Sequence, residues 1–425
     1  MSKFNKDLGV IGLGYVGLPL VVESCNAGLK VFGYDNNSPK VESLKKGTSQ
    51  IEDISDVSLK ETLEKGLIIS DSPEELNDCE HIVISVPTPL TDYQPDLSYV
   101  KAAARTIAEN ISKEQVIILE STTYPGTTIE VLIPEIESIS ELKAGKDFYV
   151  GYSPERIDPG NKTWNFKNTP KIVSGIDEAS ASKIKTFYEK IIDEVVLVSG
   201  TKEAEMVKLL ENTYRHVNIA FINELAILCN MLEIDIWEVI EAAKTKPFGF
   251  ESFRPGPGVG GHCIPIDPNY LSFKTRQIGK PVRFVELAQE INNTMPTYIV
   301  SRILEMMNSL QKPMKNSNIL ILGVAYKKDI SDIRESPSIK IIENLHSKGV
   351  NVSYYDPFVD SIKINASVKI NTSVKKEKDT KNFNSYDLIL FHTAHTEFSS
   401  INFEEIDVPI FDATGTDYLS NSERI

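Results

Sequence analysis

A short apolar run closed by glycine, followed further along by a second run closed by aspartate, occurs twice in this chain. Asp7-Leu-Gly-Val-Ile-Gly12 leads to Val31-Phe-Gly-Tyr-Asp35, and Asn318-Ile-Leu-Ile-Leu-Gly323 leads to Val352-Ser-Tyr-Tyr-Asp356. Runs this short, rich in Ile and Val and without polar alternation, mark strands covered on both faces, and such strands belong to parallel sheets with helical crossovers. The repetition therefore commits the chain to two βαβ arrays.

The rest of the sequence agrees. Apolar runs at 8–13, 31–34, 81–86, 116–119 and 195–198 are expected to be buried parallel strands, with crossover helices such as 97–110 and 178–191 between them. Residues 202–232 contain no Gly or Pro and repeat apolar side chains at helical spacing: Met206, Leu210, Val217, Phe221, Leu225 and Leu228. Some 30 residues at about 1.5 Å rise make a helix of roughly 45 Å. That outreaches one domain, so the helix is expected to join two and to offer a face to a second copy of the chain. Residues 246–267 are dense in Gly and Pro, which predicts an ordered loop. A helix is expected at 282–310, and the strand–helix alternation restarts near 316 with strands at 318–323, 350–355 and 387–391 and a helix at 337–348. The predicted architecture is α/β: two Rossmann-like doubly wound domains (1–200 and 313–425) joined by a long central helix and a helical dimerisation region (201–312).

A formal net charge of −15, from 45 basic and 60 acidic residues, argues against a broad nucleic-acid or anionic-membrane surface, since both need a concentrated positive field. The four cysteines, Cys25, Cys79, Cys229 and Cys263, are far apart and show no CxxC spacing, so neither a disulfide framework nor a zinc site is expected. The histidines show no ligand spacing either, and no metal is expected. The N-terminus runs at once into the first strand rather than into a leader's apolar core, and no apolar run is long enough to span a bilayer. The expectation is a cytoplasmic protein without a membrane partner.

Gly12-Leu-Gly14-Tyr15-Val16-Gly17 fits GxGxxG. Alone the pattern is weak; here it follows a strand, opens an apolar segment, and precedes Asp35 at the end of the next strand. The first two glycines allow a tight turn and close approach to a pyrophosphate, and Gly17 lets helix and strand touch. Amides at the helix start attract the phosphates. Asp35 suits the adenosine ribose and disfavours a 2′-phosphate, which points to NAD rather than NADP. Pro87 and Thr88 follow the 81–86 run at a carboxyl strand end, where cofactors bind in such sheets.

Pro255-Gly-Pro-Gly-Val-Gly260-Gly-His-Cys263-Ile-Pro-Ile-Asp267 is the most unusual segment. Its glycines let backbone approach a ligand, and a cysteine so placed is a nucleophile candidate, whereas the other three fit small buried hydrophobes. Lys208 and Asn212 lie four apart on the long helix and share a face. Glu120-Ser-Thr122-Thr and Ser153-Pro-Glu155-Arg156 each follow an apolar run. Taken singly, these fit a polar surface as well as a site.

In order along nearly the whole chain, GLGYVGLPL, VPTPL, ESTTYPGTT, SPERIDPG, EAEMVKLLENTYRHVNIAFINELA, PGPGVGGHCIPIDP and GVAYKKDISDIRESPS resemble the UDP-glucose/GDP-mannose dehydrogenase family. The resemblance implies an NAD-dependent enzyme that oxidises a primary alcohol of a nucleotide-linked sugar to a carboxylate. It implies an N-terminal NAD domain, a central dimerisation segment and a C-terminal UDP-sugar domain. It makes Cys263 the nucleophile that captures the aldehyde as a thiohemiacetal and then carries a thioester. Lys208 and Asn212 match positions that stabilise the developing oxyanion. Thr122, Glu155 and Asp267 match positions that order or deprotonate water. Arg334 and Lys327 fall in the motif contacting cofactor and substrate. Arg156, Gly260 and Arg254 are further substrate candidates, Arg254 for a phosphate.

One departure stands out. The UDP-glucose branch carries a second acid four residues after the one matched by Glu155, and this chain has Pro159, with Asp158 beside it. The stretch Lys244-Thr-Lys-Pro-Phe-Gly-Phe250, with His262 and Pro265, looks instead like the UDP-N-acetylhexosamine 6-dehydrogenases. That implies UDP-N-acetylglucosamine as substrate and a uronate destined for surface polysaccharide. UDP-N-acetylgalactosamine, UDP-N-acetylmannosamine and UDP-glucose are the alternatives within the family. A two-electron dehydrogenase and a non-catalytic NAD-binding regulator are the alternatives outside it.

Overall fold

The structure, a computed structural model, describes residues 3–51, 54–91, 94–158, 161, 163–261, 264–362, 374–419 and 422–425. The chain groups into two compact units, Met1–Glu211 with Asn269–Lys280, and Asn212–Pro268 with Pro281–Ile425.

The first unit is built on β1 (Lys6–Ile11), β2 (Val31–Tyr34), β3 (Ile68–Ser70), β4 (Cys79–Ile84), β5 (Val116–Leu119), β6 (Tyr149–Tyr152), β7 (Lys171–Gly175) and β8 (Val195–Leu197). Among the described residues these form one sheet in the order β8-β7-β6-β5-β4-β1-β2-β3. Every residue of β5 is buried, as the uninterrupted Val-Ile-Ile-Leu run requires of a central strand. Helix α1 (Gly17–Asn26) follows β1 directly, and α2 (Ser98–Asn110) buries Val100, Ala103, Ala104, Ile107 and Ala108, three and four residues apart. Helix α3 (Glu178–Tyr188) begins where Asp177 accepts a hydrogen bond from the Ser180 amide at 2.7 Å.

Two strands depart from the expected all-parallel sheet. β7 pairs antiparallel with β6, setting Gly151 opposite Gly175 and Tyr152 opposite Ser174, and β8 is parallel to β7. Residues 195–198, expected as a buried parallel strand, are instead the exposed edge of this reversed pair. An edge strand keeps an Ile/Val-rich sequence without being covered on both faces.

Helix α4 (Thr201–Met231) is the long helix, one residue offset at each end from the predicted span. In the second unit its latter half packs with α5 (Ile236–Lys244) and α7 (Arg283–Ser309) in one core with the second sheet; α6 (Asp267–Gln277) precedes α7 in the chain. That sheet comprises β9 (Asn318–Leu322), β10 (Asn351–Tyr355), β11 (Lys375–Lys376), β12 (Leu388–Phe391), β13 (Ile410–Asp412) and β14 (Glu423–Arg424), all parallel, in the order β11-β10-β9-β12-β13-β14. Helix α8 (Pro337–Ser347) crosses from β9 to β10.

The sequence echo has a structural counterpart. Asp35 accepts from the Leu13 amide at 2.9 Å, and Asp356 from the Val324 amide at 2.7 Å, so each aspartate clamps the turn after the preceding strand. In the second unit the clamp is sealed. Asp356 is buried, and His395, wholly buried itself, places Nε2 3.0 Å from the same carboxylate.

Candidate active site

The dinucleotide loop sits between β1 and α1. Gly12 has φ +94°, and a Cβ there would lie 2.6 Å from the Ser85 carbonyl oxygen. A Cβ on Gly17 would lie 1.9 Å from the Gly12 oxygen, whereas one on Gly14 would meet nothing within 4 Å. The loop is thus closed on its inner side and bare on its outer side, and no side chain caps α1 at Val16. An uncapped helix start beside a bare backbone suits a phosphate. Tyr15 and Val16 are half-buried within the loop. Asp35 accepts from three donors: the Leu13 amide, the Asn37 amide at 3.0 Å and Lys40 Nζ at 2.7 Å. A carboxylate has about four acceptor positions, which leaves room for a ribose hydroxyl. These residues fit NAD. Lys40, which sequence reasoning passed over, partly offsets the negative charge that was expected to repel a 2′-phosphate. Pro87 is exposed in the segment after β4, and the Thr88 carbonyl accepts a hydrogen bond from Tyr270.

A second cluster lies in the same unit beyond the carboxyl ends of β5 and β6. Thr122 is half-buried in the turn after β5. Glu155 is buried, and its Oε1 accepts from the amides of Arg156 and Ile157, both at 2.7 Å. Its Oε2 lies 2.9 Å from Lys171 Nζ, which also sits 2.8 Å from Glu120 Oε1. Burial pushes the Glu155 carboxyl up, but the Lys171 ammonium, the amide bonds and Lys208 outweigh it and hold it below the usual range. Burial also pushes the Glu120 carboxyl up, and there Lys171 only partly opposes it, so Glu120 stays above its usual range. Arg156 is taken up by the protein: Nη2 is 2.6 Å from Glu211 on α4, and Nη1 donates to the Pro170 carbonyl at 2.7 Å. Lys208, also on α4, is buried.

The cysteine loop belongs to the second unit. Cys263 and His262 lie outside the described residues, as does Pro159; the described residues show how the loop is held on either side. Upstream, the Gly256 amide donates to Asn223 Oδ1 on α4 at 2.9 Å, and Asn223 Nδ2 donates to Asn292 Oδ1 on α7 at 3.0 Å. Gly261 has φ +90°; its amide donates to the Arg334 carbonyl at 3.0 Å, and a Cβ there would lie 2.7 Å from the Tyr326 ring. Gly260 is as tight, with Tyr326 Cβ 2.6 Å from the position a Cβ would take. Downstream, Asp267 is buried at the start of α6, and Asn212 Nδ2 on α4 donates to its Oδ2. Two candidates 55 positions apart are thereby joined.

Arg334 contributes its carbonyl to this loop, while its guanidinium is forked by Asp332 at 3.0 and 2.6 Å. Lys327 is half-buried on the segment after Tyr326. Arg254 is half-exposed, 3.4 Å from Glu241, with its guanidinium over the Trp237 ring. Burial pushes the Cys25 and Cys79 thiols up to about 12, as fits inert core residues. Sequence reasoning missed Lys171, Lys40, Asn223 and Tyr326. Only Lys171 left a trace, a charge abutting the apolar pair Ile172-Val173. Among the described residues no group of His, Cys, Asp and Glu is arranged to hold a metal, and no helix is long and apolar enough to cross a membrane.

Three models of the UDP-glucose/GDP-mannose dehydrogenase family match the chain in succession: the NAD binding domain over residues 6–192, the central domain over 202–294 and the UDP binding domain over 320–416. A UDP-N-acetyl-D-glucosamine 6-dehydrogenase from Pseudomonas aeruginosa is 36% identical over 407 residues, covering 94% of each chain. Protein CapL of Staphylococcus aureus is 34% identical over 431 residues, covering 99% of each. The solved structure of a UDP-D-ManNAc dehydrogenase from Pyrococcus horikoshii superposes with a TM-score of 0.88 at 32% identity, covering 98% of each chain. With matches that run end to end and a glycine loop shaped for a dinucleotide, the chain belongs to the UDP-glucose/GDP-mannose dehydrogenase family and is an NAD-dependent UDP-sugar dehydrogenase.

Proposed function

We propose that this enzyme oxidises the C6 alcohol of a UDP-N-acetylhexosamine to the uronate in two successive two-electron steps, with UDP-N-acetylglucosamine as substrate. The observation that carries the reading is the Asn212–Asp267 hydrogen bond. It fastens the downstream end of the cysteine loop to α4, so that two of the polar groups the chemistry needs are held together within the second unit. NAD, when bound, accepts the hydride released in each oxidation. The Cys263 thiolate adds to the aldehyde carbon left by the first oxidation, and the resulting thiohemiacetal is oxidised to a thioester. Water then attacks the thioester carbonyl, the C–S bond breaks, and the carboxylate leaves as the thiol is restored. Lys208 and Asn212 stabilise the oxyanion in the addition and hydrolysis steps. Asp267, buried and held by Asn212, and Thr122 order the attacking water. Glu155, its pKa held below the usual range by Lys171 and two amides, acts as a fixed anion.

A second substrate, UDP-N-acetylmannosamine, is favoured by the likeness to the Pyrococcus horikoshii structure. We further propose a homodimer acting in the cytoplasm, with the three-part division 1–200, 201–312 and 313–425. Met206, Leu210, Tyr214, Phe221, Leu228 and Met231 on α4 are all exposed. At about 100° per residue they fall within roughly 100° of one another, an apolar stripe that suits a second copy. A panel of UDP-sugars with NAD, counting NADH formed per sugar consumed, tests the function. Two NADH per sugar, with UDP-N-acetylglucosamine turned over fastest, is the expected result, and Cys263→Ser abolishes turnover while NAD still binds. One NADH per sugar, with full activity in Cys263→Ser, would overturn the mechanism.

A further inference from the structure

Lys171 takes no part in the chemistry above, yet its side chain carries a charge into the interior of the first unit with 4% exposure. A buried ammonium is tolerated only when matched by opposite charge and hydrogen bonds. Lys171 is matched twice, by Glu120 and Glu155, and its Nζ also lies 5.2 Å from the centroid of the Tyr188 ring. Burial pulls its pKa down, but the two carboxylates outweigh this and raise it, so the cation persists.

The reversed strand explains the placement. In an all-parallel sheet the first residue of a strand faces the edge opposite the candidate site. Because β7 runs antiparallel to β6, its first residue arrives at the carboxyl edge. The register Tyr152–Ser174, continued three residues further, sets Lys171 opposite Glu155. Glu120 directly follows β5, the strand on the other side of β6, and leads into Ser121-Thr122. Lys171 therefore ties together the turns that bear Thr122 and Glu155. With two amides on Glu155 Oε1 and Lys171 on Oε2, neither oxygen of Glu155 is left to choose its own orientation. Glu120 is fixed by the Tyr188 hydroxyl and Lys171 on the same oxygen, Oε1.

We propose that Lys171 is a positioning residue for sugar oxidation: it fixes the Glu155 carboxylate and, through Glu120, the turn carrying Thr122. The proposal rests on the reading of Glu155 and Thr122 as site residues. Two residues acting as one unit are grossly non-additive on mutation, whereas a residue that only supports the fold costs the same whatever its neighbour.

The test is a cycle of Lys171→Met, Glu155→Gln and the double variant, assayed with NAD and the best UDP-sugar. Lys171→Met is expected to lower kcat by about as much as Glu155→Gln, at least ~30-fold, with the KM for both substrates within about twofold of wild type. The double variant is expected to be no slower than the slower single variant, and Lys171→Arg to recover kcat to within about tenfold of wild type. Lys171→Gln, which keeps a donor without the charge, is held to the same criterion if Lys171→Met does not fold. A kcat for Lys171→Met within about threefold of wild type, or losses that multiply in the double variant, would overturn the proposal. Failure of both neutral variants to fold would also overturn it, by assigning Lys171 to the fold. A wild type that forms no NADH with any UDP-sugar would sink the proposed function and this role together, whereas an active wild type beside an unaffected Lys171→Met sinks only the role.

Discussion

Gly17 shows how little tolerance a single position has. Its Cα faces the Gly12 carbonyl so closely that any Cβ must displace the loop. Gly17→Val is therefore expected to weaken NAD binding at least about tenfold, a loss of ~1.4 kcal/mol, as read by titrating NAD against intrinsic fluorescence. Unchanged affinity would mean the loop moves freely and does not hold the pyrophosphate. Asp267 is the second such position. Asp267→Asn puts an amide where the carboxyl accepts from Asn212, and should lower kcat about 100-fold with NAD affinity retained. A kcat within a few-fold of wild type would remove Asp267 from the water-ordering step. Glycine spacing and the Asp35 position could be read from sequence because they are local. The Asn212–Asp267 bond could not, because nothing in either segment names the other as its partner.

At the scale of elements, the cysteine loop owes its course to α4 and α7 more than to its own sequence. Asn223, fully buried, accepts from the Gly256 amide and donates to Asn292, and Asn292 in turn donates to the His216 carbonyl at 3.2 Å. Asn223→Ala strands a buried amide at a cost of about 1–3 kcal/mol. The expected outcome is a large fall in kcat with NAD binding unaltered, since the NAD loop lies in the other unit; a fall in NAD affinity of the same size would contradict it. The strands and long helices were legible from periodicity, their ends shifting by one to three residues: 202–232 became Thr201–Met231, 81–86 became Cys79–Ile84, and 178–191 became Glu178–Tyr188. Several other elements were not, and three of them show why. β3 has only three residues, and β7 carries Lys171 and Ser174 among its apolar residues. Helix α6 is mostly polar, with only Tyr270, Leu271 and Phe273 to mark a buried side, and starts with Asp267-Pro268, a pair that read as the end of a loop but also suits a helix start. The apolar stripe on α4 belongs to this scale too. Leu210→Glu with Phe221→Glu should convert a dimer to a monomer in sedimentation, and an unchanged assembly would place the dimer contact elsewhere.

For the molecule as a whole, both units keep histidines neutral in their interiors. Burial lowers the pKa of His81 in the first unit, and of His216 and His392 in the second, from 6.5 to about 4. A base depressed in the folded state gives stability that is complete above its unfolded pKa and is lost as pH falls through the folded one, because the unfolded chain takes up the proton first. Stability should therefore fall as pH drops from about 6.5 toward 4, by on the order of 2–3 kcal/mol for each histidine. Urea midpoints at pH 7.5 and pH 4.5 measure this, and His81→Gln should flatten the dependence for the first unit. A midpoint independent of pH over that window would show that the histidines are hydrated in solution.

The order of strands and helices, the dinucleotide turn and the duplicated architecture are fixed by the sequence alone, because each depends on residues close together in the chain: side-chain period, glycine at a turn, an acid at a strand end. The reversal of β7, and with it the pairing of Lys171 with Glu120 and Glu155, was settled only in three dimensions, as were the sealing of Asp356 by His395 and the fastening of the cysteine loop to α4. Those contacts join segments tens of residues apart. Their stability comes from removing charges and amides from water together, and a linear pattern carries no record of which groups will share that burial.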